Sequence, residues 1–397
     1  MTNQEANTHA WGSEVYSQLS WFKSDSVSSS KVMVVGCGAL GNEVLKNLVL
    51  FGVEHLVVVD FDIIEHGNLT RSIFFTRRDA QMNRSKVEVI AERLKQINPA
   101  VQVLPIEGDI AYNVGLGLLH SMDVIIGCVD NRLARYQLNR LCMRTGVPWV
   151  DGGIEGLEGT VRVFIPGKNC YACNLGPEGL KDLSQRLSCA SVIKRNESNG
   201  RVATTPVVAS IIGAVQVQEA IKLVHQEELK KGALTSMCGK MFYYEGQHLT
   251  SRIIEFEAYD EDCPVHERWT PVQQSKLHAG MMVEEALESL TQQFGLEQAS
   301  ICLRDFSFVD YLTERSNDRK TIVMQPSYKV MDFAENHPDL KYLLWSELYQ
   351  HEYLYIDEKF PYKRLTLQQI GIPVWDILPI KTKKGLFYVE TLKNTTI

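Results

Sequence analysis

The sequence has little that would suit a membrane or a secreted protein. No apolar run approaches the ~20 residues that a membrane-spanning helix needs. The first residues, MTNQEANTHAWGSE, lack the charged-then-apolar layout of a signal peptide. There is no basic excess either, because 41 Lys and Arg stand against 48 Asp and Glu, a net charge of −7. We therefore expect a cytoplasmic protein that binds neither membranes nor nucleic acid.

Length and composition are those of an ordinary globular protein. The 397 residues are 45% hydrophobic and 22% charged, and at about 150 residues per domain they predict two to three domains. No internal repeat or low-complexity tract interrupts them. A reducing compartment disfavours a disulfide framework among the nine cysteines, so close pairs favour metal binding or catalysis.

The pattern along the chain divides it into three parts. Residues 1–30 are polar and Ser-rich and predict an N-terminal arm. From residue 31, short apolar strands (VMVV, HLVVVD, VQVLPI, DVIIGCVD) alternate with helices predicted over 42–51, 86–97 and 133–144. Buried parallel strands have this composition, so the pattern predicts an α/β, Rossmann-like doubly wound sheet.

The later part of the chain has a different pattern. A strand TVRVFI, a polar loop at about 175–205 and an apolar helix over 206–223 complete a first domain that we place at 31–268. Residues 269–397 predict a small α+β domain. Its expected helices lie at 283–294 and 340–349, and its expected strands at 300–304, 321–324, 353–356, 376–380 and 386–389.

A glycine-rich loop, GCGALG, follows the strand VMVV and precedes a helix. Its glycines, Gly36, Gly38 and Gly41, would let the backbone approach a phosphate or sugar, and the helix N-terminus supplies free N–H groups. Asp60 ends the next strand 19 residues after Gly41, where an acid accepts hydrogen bonds from a ribose. The loop predicts nucleotide binding; the alternative is a tight structural turn.

Charged residues after the second and fourth strands indicate which nucleotide. Asn68, Arg71 and Lys86 place two cations and an amide where a dinucleotide with two phosphates does not require them. Arg and Lys neutralise a triphosphate and the charge that develops during displacement at its α-phosphorus. Asp130 ends DVIIGCVD, a natural position for holding Mg²⁺. Each residue alone is equally well a solvated surface charge or a helix cap, so their joint spacing carries the prediction.

These motifs, GCGALG, VVVDFDIIEHGNLTR, Lys86 and GCVDN, resemble the adenylation domain of the ThiF/MoeB and ubiquitin-activating enzyme superfamily over about residues 30–224. The resemblance implies a bacterial-type member in which the glycine loop and Asp60 hold ATP, Arg71 and Lys86 contact the phosphates, and Asp130 binds Mg²⁺. It also implies a homodimer that adenylates the C-terminal carboxylate of a ubiquitin-like protein. The expected nucleotide-site residues are Gly36, Gly38, Ala39, Leu40, Gly41, Asp60, Asp62, Asn68, Arg71, Lys86, Asp130 and Asn131.

Two short pairs predict a structural zinc site. Cys170 and Cys173 form one Cx₂C pair, and Cys263 and His266 form a Cx₂H pair about 90 residues later. Two such pairs supply four tetrahedral ligands, and the family places two Cx₂C pairs at these locations. His266 replaces the fourth cysteine. The alternative is that Cys263 and His266 are ordinary surface residues and the zinc has been lost.

The remaining cysteines divide into packing residues and one candidate nucleophile. Cys189 lies in a polar segment near two cations, where a thiol has a larger thiolate fraction. In the family, this loop carries the cysteine that takes the acyl group, so Cys189 is our candidate for thioester formation. We expect the other five to be buried packing residues: Cys37, Cys128, Cys142, Cys238 and Cys302.

Two departures from the family keep alternatives open. The N-terminal arm lacks the family's arginine that reaches the partner subunit's ATP, and Lys23 is the candidate substitute. The last domain has no Cys-containing rhodanese-like loop, and residues 365–380 are similar to the tail of a β-grasp fold, with a short helix, a turn and a closing strand. Such a domain would recruit a conjugating enzyme. The rivals are a sulfur-carrier adenylyltransferase for molybdopterin, thiamine or tRNA thiolation, and a non-catalytic scaffold.

Overall fold

The computed structural model describes residues 11, 13–16, 18–176, 178–179, 181, 183, 203–256, 259–295, 298–383 and 385–393. They form two compact units. The first takes its described residues from Met1–Ile110, Ser121–Gly176 and Val202–His266, and the second contains Ala111–His120 and Glu267–Ile397. The domain boundaries expected from the sequence stay predictions.

An eight-stranded sheet forms the centre of the first unit. Its strand order is β3-β2-β1-β4-β5-β6-β7-β8; β1 to β5 are parallel and β5 to β8 antiparallel. The order reverses between β1 and β4, the switch point at which doubly wound sheets bind ligands. The predicted Rossmann-like sheet is confirmed. The strands are β1 Lys31–Val35, β2 His55–Asp60, β3 Gln102–Glu107, β4 Val124–Gly127, β5 Trp149–Glu155, β6 Glu158–Phe164, β7 Lys240–Glu245 and β8 Thr250–Glu255.

Four long helices of the first unit lie where the sequence predicted them, at 42–51, 86–97, 133–144 and 206–223, whereas the helices of four or five residues went unpredicted. Two are capped by side chains: Asn131 accepts from the amide of Ala134, and Thr205 accepts from the amide of Val208, which satisfies free N–H groups at each helix start. The helices are α1 Ser13–Tyr16, α2 Ser24–Ser28, α3 Ala39–Phe51, α4 Arg77–Gln81, α5 Lys86–Ile97, α6 Leu116–His120 (in the second unit), α7 Arg132–Thr145, α8 Pro206–Val224 and α9 Gln226–Lys230.

Helix α8 corrects one expectation from the sequence. Its 19 residues have a mean hydropathy of 1.6, so by length and composition it is apolar enough to cross a membrane. Polar residues such as Gln216 and Glu219 interrupt its apolar sequence, so no continuous apolar run of this length is visible there. Both residues are nevertheless buried in the structure. In the structure 56% of its apolar window is buried. Buried helices of folded cores have the same composition.

The second unit is an α+β structure, as predicted. A five-stranded sheet has the order β14-β10-β15-β16-β9, and a three-stranded sheet has the order β12-β11-β13. The helices are α10 Val283–Phe294 and α11 Ser327–Asn336. The strands are β9 Val272–Gln274, β10 Ser300–Cys302, β11 Phe308–Glu314, β12 Lys320–Pro326, β13 Leu348–Tyr353, β14 Tyr355–Ile356, β15 Ile377–Thr382 and β16 Gly385–Glu390.

Two helices expected in this unit are wrong. Residues 340–349 contain a single 3-10 turn, Trp345–Glu347, followed by β13, because Leu348 and Tyr349 pair with β11. The short helix expected within residues 365–373 is a series of turns that ends at Gly371, whose φ is +106°. Helix α11 and strand β11 went unpredicted. The β-grasp assignment stays a prediction.

Candidate functional site

The glycine loop connects β1 to α3 at the switch point of the sheet. Gly36 has a φ of +95°, and an added Cβ there would lie 2.5 Å from the carbonyl oxygen of Cys128. An added Cβ on Gly41 would lie 2.0 Å from the carbonyl oxygen of Gly36. By contrast, no atom lies within 4 Å of a Cβ built on Gly38. Two glycines therefore permit tight packing of the loop, and the third leaves the backbone open to a ligand.

Asp60 anchors the loop from the end of β2. Its Oδ2 accepts a hydrogen bond from the amide of Cys37 at 2.6 Å, and its Oδ1 accepts one from the amide of Asp62 at 2.8 Å. Burial raises the pKa of the Asp60 carboxyl above its usual value, although nearby Lys86 acts in the opposite direction. The structure thus places Asp60 against the glycine loop, as a ribose-binding acid would be.

Lys86 is a buried cation beside two carboxylates. Its Nζ lies 2.7 Å from Oδ2 of Asp62, and the residue is only 6% exposed. Burial lowers the pKa of Lys86, but the charges of Asp60 and Asp62 outweigh it, so the net shift is upward. Lys86 therefore remains charged at neutral pH next to the glycine loop.

Asn68 and Arg71 differ in whether their side chains already have hydrogen-bond partners within the protein. Oδ1 of Asn68 accepts from the amide of Glu65 and caps a 3-10 turn, His66–Asn68. Asn68 therefore has a local structural role. Arg71 is partly exposed, and within the described part of the chain its guanidinium has no hydrogen-bond or ion-pair partner. Its charge is free for an anionic ligand.

Asp130 lies in the loop between β4 and α7, beside the glycine loop. β4 pairs with β1, and the amide of Cys128 donates to the carbonyl of Val35 at 2.7 Å. The Asp130 side chain is exposed, and its Oδ1 accepts from Nδ2 of Asn131 at 3.2 Å. An exposed carboxylate at this edge fits Mg²⁺, which takes one or two protein carboxylates and completes its shell with water and phosphates.

Sequence reasoning missed an ion cluster on β5, centred on Asp151. Asp151 is fully buried, and its two oxygens accept from Arg135 and Arg162. The signal available was an acid that directly follows the apolar residues Trp149 and Val150. Its partners lie on α7 and on β6, so their contact depends on the folded sheet.

The four predicted zinc ligands converge in the first unit. The ligand atoms of Cys170, Cys173, Cys263 and His266 all lie within 4.8 Å of one another. The Sγ of Cys170 is 3.6 Å from that of Cys173 and 3.9 Å from that of Cys263. A tetrahedral zinc with Zn–S bonds of about 2.3 Å separates its sulfurs by about 3.8 Å. The donor set and its spacing therefore fit zinc.

Neighbouring groups support this cluster. Nε2 of His266 lies 3.2 Å from Sγ of Cys173, and the ring of Tyr259 stacks on the imidazole at 4.3 Å. The hydrogen bond between the two thiols lowers the pKa of Cys170 to about 5 and raises the pKa of Cys263 above its usual value. Cys170 is therefore the cysteine of this pair that favours the thiolate form, which metals bind. Nδ2 of Asn139 donates to Cys170 Sγ at 3.4 Å.

Comparison with known proteins places this geometry in a family. The model of the ThiF family matches residues 16–265. The chain belongs to the ThiF family. This ThiF-family protein is 30% identical over 237 residues to the SAMP-activating enzyme E1 of Haloferax volcanii, with 60% of this chain and 80% of that protein covered.

Other relatives and solved structures agree on the family and the fold. The Molybdopterin-synthase adenylyltransferase of Haemophilus influenzae is 30% identical over 58% of this chain and 87% of its own length. Of three further relatives the chain covers only 22% to 47%. The crystal structure of E. coli MccB with ATP aligns with a TM-score of 0.52 and 21% identity, over 67% of this chain and 75% of that one. That likeness shows the fold.

The predictions for the remaining cysteines and for Lys23 in the N-terminal arm of this ThiF-family protein can be compared with the structure. Cys189 lies outside the described residues. Cys37, Cys128 and Cys142 are buried as predicted, whereas Cys238 and Cys302 are partly exposed, which corrects the prediction that they are buried. Lys23 uses its Nζ locally, on the carbonyl of Ser20 at 3.3 Å, and its amide donates to Nε2 of His225.

Proposed function

We propose that this protein uses ATP to adenylate the C-terminal carboxylate of a ubiquitin-like protein. The observation that carries the proposal is the assembly of the glycine loop, Asp60, Lys86 and Asp130 at the switch point of a ThiF-family sheet. The names of its relatives, an E1 enzyme and an adenylyltransferase, support the same reaction class.

In this proposal the residues bind and polarise the triphosphate. The open backbone at Gly38 admits the nucleotide, and Asp60 accepts hydrogen bonds from its ribose. Arg71 and Lys86 neutralise the phosphate oxygens as charge develops in the transition state. Asp130 would hold Mg²⁺, which when bound neutralises phosphate charge further.

The proposed chemistry activates a poor electrophile. A carboxylate oxygen of the substrate attacks the α-phosphorus, the bond from that phosphorus to the bridging oxygen breaks, and pyrophosphate leaves. The product is an acyl adenylate, whose leaving group is AMP. In a second step, the thiolate of Cys189 would attack the acyl carbon and release AMP, leaving a thioester for transfer to a conjugating enzyme.

A sulfur-carrier adenylyltransferase is the second candidate. It is favoured by the similarity to the Molybdopterin-synthase adenylyltransferase over 87% of that protein's length. In that case the acyl adenylate itself is handed on, and Cys189 forms no stable adduct. The adenylation chemistry is the same in both candidates, so the fate of the acyl group separates them.

The remaining proposals concern assembly. We propose a structural zinc held by Cys170, Cys173, Cys263 and His266, because four donors leave no open coordination position for catalysis. A homodimer in the cytoplasm is proposed from the family resemblance and the sequence composition. Lys23 stays the candidate substitute for the missing arginine, and its exposed ammonium donates to the carbonyl of Ser20.

One experiment separates these functions. The protein is incubated with ATP, Mg²⁺ and the ubiquitin-like protein encoded nearest its gene, and exchange of labelled pyrophosphate into ATP is measured. We expect exchange that Asp130→Ala abolishes, and a DTT-sensitive adduct that Cys189→Ala abolishes. Cys238→Ser, a partly exposed cysteine outside both sites, is the matched control.

Each outcome has a distinct meaning. Exchange together with the adduct supports thioester transfer, and exchange without an adduct supports the sulfur-carrier function. If the folded protein gives no exchange with several ubiquitin-like proteins, adenylation is wrong and the non-catalytic scaffold is supported.

A further inference from the structure

A buried carboxylate next to the proposed magnesium residue has two cationic partners. Asp151, in β5, is fully buried. Its Oδ1 accepts from Nε of Arg135 at 3.0 Å, and its Oδ2 accepts from Nε and Nη2 of Arg162, the first at 3.2 Å. Both guanidinium groups are themselves largely buried. The Asp151 carboxylate is thus compensated inside the protein, as a buried charge must be, and the two guanidinium groups share it, which leaves the cluster with a net charge of +1.

Arg135 extends this cluster to the loop between β4 and α7. Its Nη2 donates to the carbonyl of Val129 at 2.7 Å and to the carbonyl of Gly152 at 3.0 Å. Because the guanidinium is planar, fixing its Nε on Asp151 also fixes where Nη2 points. Val129 directly precedes Asp130. Arg135 therefore joins β5 to the backbone that carries Asp130.

The other anchors of this loop lie on either side of Asp130. The amide of Cys128 is bound to Val35 of β1, and Asn131 caps α7. The side chain of Asp130 is exposed and contacts only Asn131 among the hydrogen-bond partners described for it. The backbone directly before Asp130 is held by a charged side chain, because Arg135 donates to the Val129 carbonyl.

We propose that Asp151 is a positioning residue: it orients Arg135, and Arg135 fixes the Val129 and Asp130 backbone so that the Asp130 carboxylate points at the nucleotide. Asp151 touches no reacting atom. The chemical consequence rests on the proposed adenylation function, whereas the positioning itself is a property of the folded chain.

The competing explanation is that Asp151 only stabilises the sheet. Asp151 and Arg162 are register partners on β5 and β6, so their ion pair joins two strands and does not reach the β4 to α7 loop. If Asp151 only stabilised the sheet, removing Arg135 and removing Arg162 would have the same effect on the loop between β4 and α7. Arg162 is therefore the matched control.

The first test measures hydrogen exchange in the full chain without ligands. Backbone amides of residues 128–131 are followed by mass spectrometry in the wild type and in Asp151→Asn, Arg135→Lys and Arg162→Gln. We expect loss of protection in the first two variants, because Arg135→Lys removes the donor to the Val129 carbonyl and Asp151→Asn removes the charge that orients Arg135. Arg162→Gln should keep wild-type protection in this loop, although its melting temperature falls.

The second test measures the Mg²⁺ concentration that gives half-maximal pyrophosphate exchange. Outer-shell partners of metal sites typically change metal affinity by about tenfold or more, so Asp151→Asn and Arg135→Lys should raise this concentration about tenfold. Arg162→Gln should leave it unchanged.

The two failures are distinguishable. A wild type without pyrophosphate exchange overturns the proposed function, and the hydrogen-exchange comparison still decides the positioning role. Equal loop protection in Asp151→Asn and Arg162→Gln overturns that role, as does an unchanged Mg²⁺ requirement in an active Asp151→Asn. If Asp151→Asn does not fold, Arg135→Lys decides, because it retains the positive charge beside Asp151.

Discussion

At the scale of single residues, the glycine loop separates structural from ligand-related requirements. Gly36 and Gly41 are fixed by backbone atoms, since a Cβ on either would lie within 2.5 Å of a carbonyl oxygen. Backbone cannot move aside as a flexible side chain can, so these contacts exclude larger residues. Gly38 faces open space and has a φ of −72°, which any residue adopts.

We therefore predict that alanine substitutions at Gly41 and Gly38 affect different properties, the first the stability of the fold and the second the binding of ATP. Gly41→Ala should destabilise the folded protein by about 1–3 kcal/mol or more because of the backbone clash. Gly38→Ala should keep the wild-type melting temperature but weaken ATP binding, since its methyl group occupies the side open to the nucleotide. Thermal denaturation and titration with a fluorescent ATP analogue measure the two effects. A Gly41→Ala protein as stable as the wild type would contradict the prediction.

Residues at strand ends were predictable, whereas contacts across the sheet were not. Asp60 and Asp130 could be placed from the sequence because each directly follows an apolar strand, and parallel strand ends share one edge. The Asp151 and Arg135 pair could not, because their contact depends on how α7 lies against β5. The sequence also gave no sign that Asn68 is occupied as a cap.

At the scale of elements, the Cys and His cluster joins two distant segments of the first unit. Cys170 and Cys173 follow β6, and Cys263 and His266 follow β8. Neither segment forms a long helix or strand, and the four ligand side chains bring the two segments together. A metal that binds the folded site stabilises the fold by its binding free energy.

We predict about one zinc ion per chain by elemental analysis, which follows from one set of four ligands. Cys263→Ser should lose the zinc and lower the melting temperature, and a strong chelator should lower it in the wild type. His266→Cys should retain zinc, because four cysteines form an equally closed site. Cys238→Ser serves as control. The zinc site would be refuted if Cys263→Ser retained zinc, or if the chelator left the melting temperature of the wild type unchanged.

Element types in the second unit were harder to predict than those in the first. The window 340–349, LKYLLWSELY, is apolar enough for a helix, but its last two residues, Leu348 and Tyr349, pair with β11 and begin strand β13. Periodicity in short apolar runs does not separate the two. Strands of the first unit carried longer Val and Ile runs that only a buried parallel sheet explains.

At the scale of the whole molecule, one segment inserted between β3 and β4 belongs to the second unit. Residues Ala111–His120 cluster with the C-terminal part of the chain. The amides of Gly117 and Leu118 donate to the carbonyl of Trp375, and the amide of Leu116 donates to Asp376. Such pairings, some 260 residues apart in sequence, leave no local pattern from which they could be predicted.

Close packing makes this association specific. A Cβ on Gly117 would lie 2.5 Å from the indole of Trp375, so only glycine permits the approach. Nη2 of Arg304 donates to the carbonyl of Val114 at 3.1 Å. Leu116 is fully buried, and exposing it together with its neighbours would cost about 25 cal/mol for each Å² of apolar surface.

We therefore predict that the second unit cannot be detached by cutting the connecting chain. A protease site inserted after Glu267 would yield fragments that still elute together in size-exclusion chromatography, because the first fragment carries Ala111–His120. Gly117→Val in the cut protein should separate them, whereas Gly280→Ala, whose added Cβ meets only ordinary contacts, should not. Separation of the unmutated fragments into two stable, folded pieces would show that this segment does not hold the C-terminal part of the chain.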